Sequence, residues 1–136
     1  EARNISYQEF LYEVLYEAIR AREFGAPPLE HTQLTVGPEA RQLEVRGRGR
    51  VSLGRRGPVR RILLALVQAH AEGQARQLSV PEVVEAGWPG EIVSTDAGAT
   101  RVYTAIRTLR RIGLQGILLT RDGGYLIDPN CRVIRS

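Results

Sequence analysis

Residues 99–114 read ATRVYTAIRTLRRIGL, and the rest of the chain can be interpreted outward from this stretch. Its apolar residues recur at the spacing of a helix with one buried stripe. They are Val102, Ala105, Ile106, Leu109 and Ile112. No carboxylate interrupts the stretch. The pattern therefore predicts an amphipathic helix whose exposed side is basic.

The polar side of this predicted helix carries arginines and small hydroxyls. Arg101, Thr104, Thr108 and Arg111 form a stripe, and Arg107 lies beside it. Such a face fits the major groove of DNA, where arginine bonds phosphates or the edge of guanine. The alternative is a solvated helix in a chain that is rich in arginine throughout. Both interpretations remain open on this helix alone.

Charge is distributed unevenly along the 136 residues, which are enough for one domain with an appended element. Residues 1–31 hold six acids and three arginines, whereas residues 32–136 hold sixteen arginines and nine acids. Every cationic side chain besides the two histidines is an arginine. The basic character therefore belongs to the second part, which predicts a polyanionic partner for it.

Several classes of protein are disfavoured by what the sequence lacks. Cys131 is the only cysteine, so no disulfide forms within the chain, and a cytoplasmic location is expected. No apolar run approaches the ~18 residues of a membrane helix, so no membrane partner is expected. There is no evident catalytic set, phosphate loop or metal-ligand cluster, so we expect no enzyme activity, cofactor or metal site.

Residues 1–31 are predicted to form an amphipathic helix over 5–24 followed by a linker, and residues 32–136 the main domain. Ser6 and Glu9 have the spacing of a capping box, and the prolines at 27 and 28 end the helix. Its apolar ribbon either packs on the domain or joins a second copy or an upstream domain. Since the chain begins with a residue other than methionine, we expect it to be a piece of a longer protein.

The segments before the central helix predict a small antiparallel sheet and two further helices. Three short strands alternate with turns over 33–53, and Arg46, Arg48 and Arg50 near one turn either touch phosphate or form a solvated edge. A helix begins near Pro58 and fades between 70 and 73. After a strand residue at Leu78, the capping box of residues 79–82 opens a helix that ends at Gly87.

The segments around and after the central helix predict its cap and a terminal hairpin. Thr95 or Asp96 caps the central helix. Strands at 117–119 and 125–127 flank a tight turn in which Gly123 and Gly124 are free to take positive φ. The tail over 131–134 either adds a little strand or frays.

Three helices followed by a terminal hairpin predict an α+β winged helix-turn-helix fold. In that fold the third helix enters the major groove and the hairpin, or wing, lies beside it. Arg121 on the wing is then placed to approach the DNA backbone or the minor groove. Trp88, Ile106 and Tyr125 are predicted to lie in the core.

Five segments, in order over about residues 33–129, resemble the C-terminal DNA-binding effector domain of OmpR/PhoB-type response regulators. They are LTVGPEARQLEV for the opening strands, VSL with ILLALV for the first helix, SVPEVVEAGW with Trp88 at the family's tryptophan, VYTAIRTLRR for the recognition helix and LLTRDGGYLI for the wing. The sequence departs from that family at three places. Ala105 occupies the position of a histidine of the recognition helix, and Ile112 the position of a cationic residue. Before the first helix, Arg55-Arg56-Gly57 replaces a segment that ends in an acidic residue in the family.

The resemblance implies a four-stranded N-terminal sheet, a recognition helix at 99–112 and a loop at 89–98 that contacts RNA polymerase. It also implies transcription regulation within bacterial two-component signalling, although no receiver domain is present in this sequence. Our first hypothesis is therefore a module for double-stranded DNA, in which Arg107 and Arg110 contact phosphate. The alternative is a winged-helix module for protein interaction or assembly within a larger signalling protein.

Overall fold

A computed structural model describes residues 32–73 and 76–136 of the chain, and these form an α+β fold with three α-helices and two β-sheets. The predicted helix over 5–24 lies outside the described residues. The helices are α1 (Gly57–Glu72), α2 (Val80–Gly87) and α3 (Thr95–Leu109). The strands are β1 (Gln33–Val36), β2 (Gln42–Val45), β3 (Gly49–Ser52), β4 (Leu78–Ser79), β5 (Leu118–Arg121), β6 (Gly124–Ile127) and β7 (Arg132–Arg135).

Local sequence signals set the starts of α1 and α2 as predicted. Pro58 lies in the first turn of α1, where its missing N–H leaves no helical hydrogen bond unmade. Ser79 caps α2: its hydroxyl accepts from the backbone N–H of Glu82, and the Glu82 carboxylate accepts from the backbone N–H of Ser79. This reciprocal pair is the predicted capping box, and it satisfies two backbone donors at once.

The cap of α3 is Ser94, so the prediction of Thr95 or Asp96 was wrong by one or two residues. The Ser94 hydroxyl accepts from the backbone N–H of Ala97 at 3.2 Å. Ser94 has the extended backbone that a capping residue requires, with φ −64° and ψ 159°. Thr95 and Asp96 already belong to the first turn, where Asp96 complements the positive end of the helix dipole.

The larger sheet has four strands in the order β3-β2-β1-β7. The β1–β2 and β2–β3 pairs are antiparallel, which confirms the predicted sheet of three short antiparallel strands over 33–53, and β7 extends this sheet by pairing with β1 in parallel. The fourth strand is the C-terminal tail, which therefore adds strand rather than fraying. It pairs here because its register sets Val133 against buried Leu34, on the face that packs on the core.

The smaller sheet has three strands in the order β4-β6-β5. Strands β5 and β6 form a hairpin whose two-residue turn is Asp122 and Gly123, with φ of 50° and 77°. Positive φ at both positions matches the turn twist that a hairpin favours. The predicted pair was Gly123 and Gly124; Gly124 instead begins β6, where a Cβ would lie 2.7 Å from the Leu78 carbonyl oxygen.

The core lies between the helices and the inner faces of both sheets. Four of the five predicted stripe residues of α3 are buried, namely Val102, Ala105, Ile106 and Leu109. The fifth, Ile112, is half-buried because α3 ends at Leu109 and the chain continues through a wider helical turn, Arg110–Leu114. Ile106 and Tyr125 are buried, and Trp88 is partly buried and packs against the core, in agreement with the prediction that all three are buried or mostly buried.

Candidate nucleic-acid interface

The exposed side of α3 and the turn after it carries Thr100, Thr104, Arg107 and Arg111. Their spacing of four, three and four residues places them in one stripe along the helix axis. No acid occurs between Asp96 and Asp122 in the sequence. From Thr100 to Arg111 the stripe is free of acids, and exposed Asp96 lies one turn before it in the first turn of α3; we call the stripe of Thr100, Thr104, Arg107 and Arg111 the α3 face.

The α3 face is rotated relative to the prediction. Arg101 and Thr108 lie on its flank and are half-buried, and the Thr108 hydroxyl donates to the Thr104 carbonyl at 3.0 Å. Thr100, which the prediction omitted, lies in the stripe itself. Its position four residues before Thr104, within the predicted helix, is the sequence signal that places it there.

Arg101 is engaged within the described residues. Its Nη1 lies 2.8 Å from Oε1 of Glu91, and its Cζ lies 5.4 Å from the centre of the Trp88 ring. Both partners belong to the segment that joins α2 to α3. Arg101 therefore ties this segment to the flank of α3.

Arg110 is buried, so the prediction that it contacts phosphate was wrong. Its side chain crosses to the hairpin, where Nε donates to the Leu118 carbonyl at 2.9 Å and Nη2 donates to the Thr120 hydroxyl at 2.8 Å. Its Cζ also lies 5.9 Å from the centre of the Tyr125 ring. Only 5% of Arg110 is exposed. Its position four residues after buried Ile106 was the sequence signal for this burial.

The remaining arginines of the predicted site are exposed. Arg107 and Arg111 lie on the α3 face, and Arg121 lies at the end of β5 beside the hairpin turn. Within residues 32–73 and 76–136, no hydrogen bond or ion pair occupies these three guanidinium groups. Their donors are therefore open to an anionic partner.

The three arginines around the β2–β3 turn, for which phosphate contact and a solvated edge were both open, differ from one another in the structure. Arg48 donates from Nη1 to the carbonyls of Gly113 and Gln115, each at 2.8 Å, and so fixes the turn after α3 against the sheet. Arg50 pairs with Glu44 at 3.6 Å. Arg46 is exposed. Arg48 therefore neither stays free for phosphate nor forms a solvated edge, because it links the β2–β3 turn to the turn after α3.

Two pKa shifts lie outside the α3 face. The backbone N–H of Ser79 lowers the pKa of Glu82, since it donates to the charged carboxylate. Burial raises the pKa of the Cys131 thiol to about 11, and the negative charge of Asp128 acts in the same direction. Cys131 is therefore a protonated thiol at neutral pH and is poorly suited to act as a nucleophile.

Neither a metal centre nor a membrane span is found in the part of the chain that the structure describes. No group of three or more His, Cys, Asp or Glu residues there is placed to hold a metal ion. None of the helices there combines the length and apolarity that crossing a bilayer requires. The predicted loop 89–98 ends at Ser94, because residues 95–98 form the first turn of α3, and its contact with RNA polymerase stays a prediction.

No protein-family model, curated protein or solved structure matches the chain. The resemblance to OmpR/PhoB-type effector domains therefore stays a prediction that depends on the five segments quoted above. What can be argued about function comes from the α3 face and its surroundings.

Proposed function

We propose that residues 32–136 are a winged-helix module that binds double-stranded DNA within a transcription regulator. The observation that carries this proposal is the α3 face, where Arg107 and Arg111 are exposed and lack partners within the described residues. The order α1, β4, α2, α3 and then the β5–β6 hairpin supports it, because winged helices order their elements in this way. The pairing of β4 beside β6 joins the hairpin to the helices.

In the proposed complex α3 lies in the major groove. Thr104 and Arg107 reach base edges, and Arg111 contacts phosphate near the end of the helix. An arginine that bonds guanine at two atoms contributes about 1–3 kcal/mol of discrimination. Arg121 approaches the backbone or the minor groove from the hairpin. Arg110 has no direct contact; it positions the hairpin relative to α3 through its bonds to Leu118 and Thr120.

A second candidate function is a protein-interaction module, and one observation favours it. Ile92 lies in the segment between α2 and α3 and is fully exposed. Among the described residues it is the one large apolar side chain that is exposed. An isolated exposed isoleucine is a much smaller feature than the apolar patch of a typical protein interface. We therefore rank this function below DNA binding.

The test measures DNA binding by fluorescence anisotropy at two salt concentrations. One labelled duplex has a random sequence, and the other comes from a region upstream of a gene in the native genome. Wild-type protein is compared with Arg107→Ala/Arg111→Ala. The matched control is Arg55→Ala/Arg56→Ala, which removes the same charge from two exposed arginines outside the α3 face.

We expect salt-sensitive binding by the wild type, because each neutralised phosphate releases counterions. The first double variant should weaken binding by roughly tenfold or more and lower the slope of log K against log salt by about one, because Arg111 is the phosphate contact of the pair. The control should lose far less. Equal losses in both double variants would remove the α3 face from the proposal. An absence of wild-type binding at low salt would favour the protein-interaction function.

A further inference from the structure

Arg101 is paired with a carboxylate, although no acid lies between Thr100 and Arg111 on the α3 face that it flanks. The distance from Arg101 Nη1 to Glu91 Oε1 is 2.8 Å. The pair is accessible to solvent, since 38% of the Arg101 side chain and 52% of the Glu91 side chain are exposed. A DNA phosphate that approaches the α3 face can therefore reach the same guanidinium.

The position of Glu91 is fixed by bonds along the α2–α3 segment. The backbone N–H of Glu91 donates to the Trp88 carbonyl at 3.2 Å, and the N–H of Trp88 donates to the Val84 carbonyl at 2.8 Å. At the other end Ser94 caps α3. These bonds place the Glu91 carboxylate beside α3, and the Trp88 ring stacks against the Arg101 guanidinium at 5.4 Å.

We propose that Glu91 stands in for a DNA phosphate at Arg101 in the free protein and is displaced when DNA binds. Carboxylates and phosphates accept the same donors of a guanidinium, so one can replace the other. An exposed ion pair contributes little free energy, whereas a phosphate contact also releases counterions. The exchange therefore favours DNA at low salt, and Glu91 lowers the affinity of the module. This inference rests on the proposed function.

The test is a double-mutant cycle measured by DNA binding. The variants are Glu91→Gln, Arg101→Gln and the two combined, with Glu85→Gln as the matched control. Glu85 is an exposed carboxylate on α2 with no partner in the described part of the chain, so its loss changes the net charge equally. We expect Glu91→Gln to tighten binding by about two- to fivefold. Glu85→Gln should tighten it less.

The cycle separates a specific exchange from general repulsion between acids and DNA. In the Arg101→Gln background, Glu91→Gln should change affinity no more than Glu85→Gln does. Trp88 is the only tryptophan of the chain, so its fluorescence reports on the same event. Its emission should change when duplex is added to the wild type and should stay constant for Arg101→Gln at a saturating duplex concentration.

The outcomes distinguish this inference from the function on which it rests. If the wild type binds duplex but the cycle shows equal effects of Glu91→Gln in both backgrounds, the exchange is overturned and DNA binding stands. A Trp88 emission that DNA leaves unchanged in the wild type also overturns the exchange. If the wild type binds no duplex even at low salt, both proposals are overturned.

Discussion

Two stretches of this chain contain many arginines and no acid, and the structure uses them differently. Residues 45–71 hold seven arginines, and residues 97–121 hold five. By composition the first stretch is the better candidate for a polyanion site. The hydrogen-bond partners of the guanidinium groups point to the second.

In the first stretch most of the arginines join parts of the fold. Arg48 bonds two carbonyls after α3, Arg60 donates to the Glu39 carbonyl at 3.0 Å, and Arg61 donates twice to the Gly87 carbonyl, at 3.0 and 2.7 Å. Arg50 pairs with Glu44. Those without a partner in the described residues lie in two separate turns; they are Arg46, Arg55 and Arg56.

In the second stretch the unpartnered arginines are placed together. Arg107 and Arg111 lie one turn apart on the α3 face, and Arg121 lies on the hairpin that Arg110 ties to the end of α3. The comparison teaches that arginine count does not show which guanidinium groups are open to a partner, whereas their intramolecular bonds do. Donors without intramolecular partners, arranged on one rigid element, are a better guide.

The largest predicted effect tests which side of α3 faces the core. Ile106 is fully buried, so Ile106→Asp places an unpaired carboxylate among apolar side chains and should lower the free energy of unfolding by more than about 4 kcal/mol. A thermal melt followed by circular dichroism should show an unfolded or strongly destabilised protein. A melt like that of the wild type would refute the orientation of α3 and with it the α3 face.

The next effect compares two arginines of the second stretch. Arg110→Ala leaves the Leu118 carbonyl and the Thr120 hydroxyl without their partner, so urea denaturation should show a loss of about 2–4 kcal/mol. Arg107→Ala should change stability by no more than about 0.5 kcal/mol, because its side chain is exposed. Equal losses in the two variants would contradict the distinction between the structural and the unpartnered arginine.

A smaller effect is expected in the first stretch. Arg61→Ala removes the two donors to the Gly87 carbonyl and should lower the free energy of unfolding by about 1–2 kcal/mol. The matched variant is Arg55→Ala, an exposed arginine whose loss should be within about 0.5 kcal/mol. Urea denaturation measures both. If Arg61→Ala is as stable as Arg55→Ala, the interpretation of the first stretch as structural fails.

The smallest effect concerns the hairpin. Arg121→Ala should leave the urea midpoint nearly unchanged, because Arg121 is exposed, but should lower the salt slope of duplex binding by about one. Arg135→Ala, an exposed arginine on β7 of the other sheet, is the control and should leave the slope as it is. A slope that the two variants lower equally would remove the hairpin from the proposed interface.

The sequence predicts those parts of the fold that depend on neighbours a few residues apart. The capping box of Ser79 and Glu82 is encoded by a spacing of three residues, and the buried side of α3 by the period of the helix. The hairpin follows from a glycine-containing turn between two apolar runs, although the positive φ angles fall at Asp122 and Gly123 rather than at the predicted Gly123 and Gly124. Each of these features can be recognised without knowing the rest of the structure.

What the sequence does not predict depends on contacts between distant segments. The parallel pairing of β7 with β1 joins the two ends of the described chain, which no local pattern encodes. The Glu91–Arg101 pair joins a segment without regular structure to a helix, so helical spacing does not reveal it. For Arg110 the helical spacing after Ile106 signals burial, but its partners have no such signal, because the carbonyl and the hydroxyl that accept from it come from the hairpin.

Whether the α3 face lies in the major groove of bound DNA is tested by cleavage of the duplex by an iron chelate tethered to the protein. The chelate is attached at Thr100→Cys on the α3 face and, for comparison, at Gln68→Cys on the exposed side of α1. Cys131 is buried and its pKa is raised to about 11, so the native thiol stays unlabelled in the folded protein. We expect strong cleavage, clustered around one major groove, from Thr100→Cys and little from Gln68→Cys. Cleavage from Gln68→Cys that equals or exceeds that from Thr100→Cys would contradict this expectation.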